Sequence, residues 1–190
     1  SARYTGDALL SAEYTIAEDF VIKGILGANV NTQDYSYMRI RANNLSIDGF
    51  YDISNGTGTP ATEKNEEMKR DYGFFGDVTL GFKNYLFLNV TGRNDWTSTL
   101  AAGNNSYFYP AVGLSFVFTD AIPALSNNDI LTFGKLTASN STVYNDLSPY
   151  RINETYSQSG GFPYGGVNGF FLSNTAVDAN INKEKLNTTE

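Results

Sequence analysis

Between Arg70 and Phe118 the side chains change character with a period of two, and this alternation restricts the fold more than any other feature of the chain. In a first run the even positions hold Tyr72, Phe74, Gly76, Val78, Leu80 and Phe82, with Gly73, Asp77, Thr79 and Gly81 between them. Lys83-Asn84 marks a tight turn, and a second run places Leu86, Leu88, Val90, Gly92 and Trp96 opposite Asn89, Thr91, Arg93 and Asp95. After Gly103-Asn104-Asn105 a third run sets Phe108, Pro110, Val112, Leu114, Phe116 and Phe118 against Tyr107, Tyr109, Ala111, Gly113 and Ser115. Successive residues of a strand point to opposite faces, so each run is a strand whose two faces meet different media. Each is roughly ten residues long, the length of a tilted strand crossing a bilayer.

The pattern recurs on either side. Ala8 to Ile16 and Phe20 to Thr32 alternate around a short polar turn at Ala17-Glu18-Asp19, which predicts a hairpin with Glu13 and Lys23 on its polar face. From Asn31 to Arg70 the alternation is lost, and the mixed-charge run Glu63 to Arg70 reads as a solvated loop. Thr119 to Asp129 is a compact connector, and Ile130 to Ser139 a further strand. Asn140 to Thr189 again shows little alternation and is broken at Gly160-Gly161, Pro163 and Gly165-Gly166.

Short links thus alternate with long excursions, as in an up-and-down membrane meander whose short turns gather at one end and long loops at the other. That assigns sides. Leu10, Ile22, Leu26, Val78, Leu80, Leu86, Leu88, Val112, Leu114 and Phe116 are expected to face lipid, and Glu13, Lys23, Asp77, Asn89 and Arg93 a lumen. Trp96 falls at the long-loop end and Phe82 and Phe118 at the short-turn end, where aromatic girdles sit. Phe75, Phe87 and Val117 are apolar on the lumen side and depart from the rule.

Composition narrows the function. Aromatics make up 14% and charged residues only 17%, which favours strands and leaves little charge to keep a soluble surface wet. A net charge of -7 excludes a nucleic-acid partner, because phosphate binding requires clustered Lys and Arg. Cys and His are both absent, which removes disulfides, thiolate chemistry and the commonest metal ligand and general base. No cofactor is expected. Ser1-Ala2-Arg3-Tyr4 does not open a signal peptide.

Gly76-Asp77-Val78-Thr79-Leu80-Gly81-Phe82, Tyr85 to Trp96 and Asn104 to Pro110 closely resemble the barrel of SusC/RagA-type TonB-dependent outer-membrane transporters. Gly49 to Asn55, Phe133-Gly134-Lys135-Leu136 and Asn145-Asp146-Leu147-Ser148-Pro149-Tyr150 agree, and the likeness is strongest over about residues 45 to 150. The resemblance implies an all-β, antiparallel up-and-down meander forming part of a barrel of about 22 strands, with long extracellular loops. It implies a bacterial outer-membrane location and uptake of a glycan or peptide, driven by the TonB complex and capped by a SusD-like surface lipoprotein. A lumenal plug would then lie behind Phe75, Phe87 and Val117. Residues 1–190 hold about six strands with no match to the plug or the energy-coupling box, so the expectation is a partial barrel domain within a longer chain. Open strand edges in hydrocarbon are too costly for six strands to stand alone.

For ligand contact the aromatic, amide-rich loop offers Tyr150, Phe162 and Tyr164, and the lumen face near the extracellular end offers Arg93 and Asp95, which also suit an interior ion pair. Two other classes compete. Asp77 and Asp95 on facing strands form a carboxylate pair of the kind used in glycoside hydrolysis, though no His, Cys or Ser motif accompanies them and carboxylates suit a polar lumen anyway. A soluble β-sandwich that binds carbohydrate would use the same alternation and aromatics, but its outward face should be polar, unlike Leu86, Leu88 and Val90.

Overall fold

The computed structural model describes residues 1–125, 131–159, 165, 167–178 and 180–190. Nine strands are described: β1 (Ala2–Ala17), β2 (Phe20–Arg41), β3 (Ala61–Phe82), β4 (Leu86–Thr97), β5 (Ser106–Val117), β6 (Lys135–Asn145), β7 (Tyr156–Ser159), β8 (Gly169–Leu172) and β9 (Glu184–Thr189). Seven form one antiparallel sheet in the order β1-β2-β3-β4-β5-β6-β9, and β7 and β8 make a separate hairpin. The chain is therefore all-β and runs up and down between neighbours, as the alternation predicts. No helix among the described residues is long and apolar enough to cross a membrane.

The two tightest links are hairpin turns. Lys83 and Asn84 both take positive φ, 48° and 61°, the pair of left-handed residues that a two-residue hairpin turn with the right twist requires. Asn accepts that conformation readily; Lys does so at some cost. Glu18-Asp19 closes β1 to β2, and α1 (Phe118–Ala121) follows β5, all at one end of the sheet. Residues 42–60, 98–105 and 146–183 leave from the other end.

Register carries the even-numbered apolar residues from strand to strand without a slip. Ile22 pairs with Leu80, Leu80 with Leu88, Leu88 with Leu114 and Leu114 with Ala138. Phe20, Phe82, Leu86, Phe116 and Leu136 form a parallel row at the short-turn end. All ten apolar residues expected on one side do lie on one face, and most are exposed there: Leu26 is 63% exposed and Leu114 47%. Within the described residues no second sheet covers this face, as a sandwich would require. Only Leu100 and Val117 are buried apolar side chains among the described residues.

Several expectations are corrected. β2 and β3 are 22 residues each and stay paired from Phe20↔Phe82 to Arg41↔Ala61, so the irregular stretch shrinks from 31–70 to residues 42–60. Glu63 to Arg70 is strand rather than loop. Its charges are answered across and along the ladder: Arg39 Nη1 meets Glu63 Oε2 at 3.4 Å, the Tyr37 hydroxyl donates to Glu63 at 2.6 Å, and Lys64 Nζ meets Glu66 at 2.6 Å. The period of two vanished because both faces of this outer ribbon are polar. The strand placed at Ile130 to Ser139 is shifted to Lys135–Asn145, and Ile130 lies outside the described residues. β9 adds a seventh strand to the expected six; residues 140–189 show little alternation, and only the resemblance implies a strand starting near Leu186. Phe118 is not a strand residue: it opens α1, and its ring lies where a Cβ on Gly134 would be, so Gly134 is required for that packing. Glu13 and Lys23 do pair, at 3.1 Å, as an exposed surface pair.

The apolar residues that break the rule on the polar face also gain an explanation. Phe75 pairs with Gly27, and its ring passes 2.2 Å from where a Gly27 Cβ would stand. Phe87 pairs with Gly81 and lies 3.3 Å from the corresponding point. Each aromatic reaches across to a cross-strand glycine and occupies the space a side chain there would fill.

Candidate functional site

On the face opposite the apolar one, the end nearest the long loops gathers charged and amide side chains from many elements. Arg3 on β1 donates from Nε to Asn31 Oδ1 at 2.8 Å, and Asn31 Nδ2 reaches Asp71 Oδ2 on β3 at 3.5 Å. Arg93 on β4 donates from Nη2 to Asn29 Oδ1 at 2.8 Å, and its Nε stands 2.7 Å from Asp95 Oδ1. Asp95 Oδ1 receives no aligned hydrogen bond among the described residues, so this contact is an ion pair. The Arg93 guanidinium also lies over the Phe75 ring, 5.5 Å from its centre. Gly73 makes the arrangement feasible: a Cβ there would fall 2.0 Å from Asp95 Oδ1 and 2.8 Å from Arg93 Nη2.

The start of the long excursion 146–183 folds down onto this cluster. Asp146, directly after β6, pairs with Lys69 of β3 and, at 3.3 Å, with Lys183, which precedes β9. The Thr99 hydroxyl donates to Asp146 Oδ1 at 3.1 Å from the β4–β5 loop. Lys183 is buried; its Nζ sits 4.7 Å from the centre of the Tyr107 ring, and its backbone N–H donates to the Tyr107 hydroxyl at 3.0 Å. Tyr107 and Tyr109 both pack against Tyr144. Burial alone would raise the Asp146 pKa, but the hydrogen bond from Lys69 and the charges of Lys183 and Lys69 outweigh it and hold the carboxyl below its ordinary value. The two ends of the excursion are therefore clasped together above a cleft of about 260 Å³ lined by Asp71, Arg93, Asp95 and Tyr109.

The expected site residues meet different fates. Arg93 and Asp95 come together in the cluster. Tyr150, with φ of 62°, stands half-exposed at the edge of β3, where its hydroxyl accepts the Met68 backbone N–H at 3.2 Å. Phe162 and Tyr164 lie outside the described residues. Asp77 does not join Asp95: it is four residues farther along the ladder, roughly 13 Å at a strand's rise, and is occupied by the Thr91 hydroxyl at 2.6 Å and Asn89 Nδ2 at 2.8 Å. That spacing does not suit a two-carboxylate hydrolytic centre, whose carboxyls stand about 5 to 9.5 Å apart. Lys69, Asp146 and Lys183 were not singled out from the sequence. Asp146 was within reach, since it lies in the segment 145–150 that carries part of the resemblance. Its partner Lys183 was not, because nothing local connects them.

A single up-and-down sheet with one continuous apolar face and one polar face has the architecture of a wall segment from a large β-barrel, although the links do not sort strictly by length, since 118–134 at the tight-turn end is longer than 98–105 at the other. The comparisons agree on the fold. The "Structure of the RagAB peptide transporter" matches with a TM-score of 0.81 at 17% identity, covering 96% of this chain and 20% of that chain. The RagAB peptide importer in its "open-open" state gives 0.80 at 18% identity over 98% of this chain, and in its "closed-closed" state 0.77 at 17% identity over 98%. The chain spans about a fifth of the length of those proteins. No family model matches the chain, and no curated protein does so by sequence.

Proposed function

We propose that this chain is part of the barrel wall of an outer-membrane active transporter of the SusC type. Such a transporter imports glycans or peptides with a SusD-like surface lipoprotein and is powered through the TonB complex. The observation that carries the membrane placement is the apolar face between two aromatic belts. At the short-turn end the Phe20 and Phe82 rings lie tilted against each other, 4.6 Å between centres, and Tyr85 contacts Phe82 and Phe116. At the other end Tyr72 and Trp96 stack at 5.1 Å, with Phe74 against the Trp96 edge. Tyr72 and Phe82 are ten residues apart on β3, about 33 Å along the strand and about 25 Å in height at a tilt near 40°, which matches the apolar band of outer-membrane barrels. Leu26, Val78, Leu80, Val90, Val112 and Leu114 fill the interval and face acyl chains in this reading.

The polar face then lines the interior, and the two ends of the excursion, joined at Asp146 and Lys183, stand at its outer end. Here the ligand meets Arg93, Asp95 and Tyr150, together with Phe162 and Tyr164 from the same loop. The test is uptake and binding in the full-length protein. Cells carrying Tyr150→Ala with Phe162→Ala and Tyr164→Ala should bind the imported ligand more weakly at unchanged barrel abundance. Fractionation should find the protein in the outer membrane, released only by detergent. Recovery in a soluble fraction would overturn the reading.

A further inference from the structure

β3 outlasts its neighbour on one side. β2 accompanies it to Ala61, whereas β4 pairs with it only from Asp71 to Phe82. Just beyond that point Ser98 continues the ladder, exchanging its N–H for the Arg70 carbonyl at 2.9 Å and receiving the Arg70 N–H on its hydroxyl at 2.9 Å. Two residues on, the Tyr150 hydroxyl accepts the Met68 N–H at 3.2 Å. These bonds fix the parity: Met68 and Arg70 turn their main-chain groups away from β2, so Thr62, Lys64 and Glu66 do the same. Among the described residues nothing pairs with the main chain of those three on that side.

We propose that this open edge, from Thr62 to Glu66, takes up an extended peptide as an added strand. A row of unpaired N–H and C=O groups at strand spacing is complementary to one thing above all, another extended main chain. The site has an end stop: Tyr150 and Ser98 occupy the inner positions of the ladder, so an incoming segment enters from the outer tip and stops at the Tyr150 ring. Side chains along the edge offer no single-sign field, since Lys64 and Glu66 neutralise each other at 2.6 Å. Recognition is therefore of backbone and tolerant of sequence. Three outward residues provide few hydrogen bonds against the cost of ordering a free peptide, so the affinity is weak, in about the millimolar range. The inference needs only this edge and stands whether or not the chain belongs to a transporter.

The experiment is amide hydrogen exchange on the full-length protein in detergent, resolved to single residues, with an acetylated heptapeptide of alternating Thr and Gln as probe. At about 5 mM the peptide should slow exchange at Thr62, Lys64 and Glu66 about threefold or more, and a scrambled version should do the same. A fully N-methylated analogue should leave exchange unchanged. Lys64→Pro removes one outward N–H without touching a bond to β2 and should abolish the protection at Thr62 and Glu66. Slow exchange at Glu63, Asn65 and Glu67 reports that the variant keeps its β2 ladder; if it does not, Glu66→Pro replaces it. No slowing with the unmodified peptide, equal slowing with the methylated one, or full protection in the proline variant would each overturn the proposal.

Discussion

An arginine at Val90 provides the sharpest test of which face meets lipid. Val90 lies on β4 between Leu86 and Trp96, close to midway between the two aromatic belts, paired with Val78 on one side and Val112 on the other. It is 49% exposed, so the substitution sacrifices little packing within the sheet. If this face is in hydrocarbon, Val90→Arg carries a cationic group to the bilayer midplane, at a cost of about 2–4 kcal/mol. That is roughly a 30- to 1,000-fold loss in the folding equilibrium. Two controls separate depth from disruption. Leu136→Arg sits in the short-turn belt, is well exposed, and should cost about 0–1 kcal/mol. Gly113→Arg faces the opposite way, and a Cβ there meets nothing within 4 Å, so it should cost less than Val90→Arg by at least about 1 kcal/mol. The assay is reversible urea unfolding of the full-length protein in lipid vesicles, followed by tryptophan fluorescence. Equal losses for Val90→Arg and Gly113→Arg would refute the assignment of sides.

Two further outcomes follow from the polar face. Gly73→Ala should push the Arg93–Asp95 pair apart, because the new Cβ meets the ends of both side chains; these ends can swing aside, so the loss of stability should stay at about 1 kcal/mol or less, while the same change at Gly6, where a Cβ meets nothing within 4 Å, should be near neutral in the same unfolding assay. Asp146 titrates below its ordinary 3.8 when folded, so the stabilisation it supplies is complete above that value and fades as pH falls through the depressed folded one. Proteolytic protection of the 146–183 excursion should therefore weaken on acidification below about pH 4 in the wild type, and be lower and insensitive to pH over that window in Asp146→Asn.

What the sequence disclosed and what it hid follow from one condition. Where the two faces of a strand meet different media, as at Val78 to Phe82 or Leu86 to Val90, the period of two identifies strand, face and register together. Where both faces are polar, as at Glu63 to Lys69, that contrast disappears, and the charge run looks like a loop although it is held in a continuous ladder with β2. β9 was hidden for the same reason: Lys185 and Asn187 alternate with Leu186 and Thr188 too weakly to read. Of the cluster, Arg93 and Asp95 were legible because they are two apart on one face of a clear strand. Lys69, Asp146 and Lys183 meet only through tertiary folding, from elements far apart in the chain. The role of Phe75 and Phe87 could not be seen without register, since each is explained by a glycine on another strand.

The connectivity of the sheet governs how it can assemble. From β1 through β6 each strand's next neighbour is also its next segment in sequence, so closure can advance like a zip, and the tight corners at β1–β2 and β3–β4 leave little chain to organise. The step from β6 to β9 is different. Roughly forty residues must loop back before those edges meet, and relative to a two-residue corner this costs about 2.5 kcal/mol in closure entropy. The lysine and carboxylate at the neck of that loop lie where they can offset part of it, which makes this joint the slow stitch of the wall.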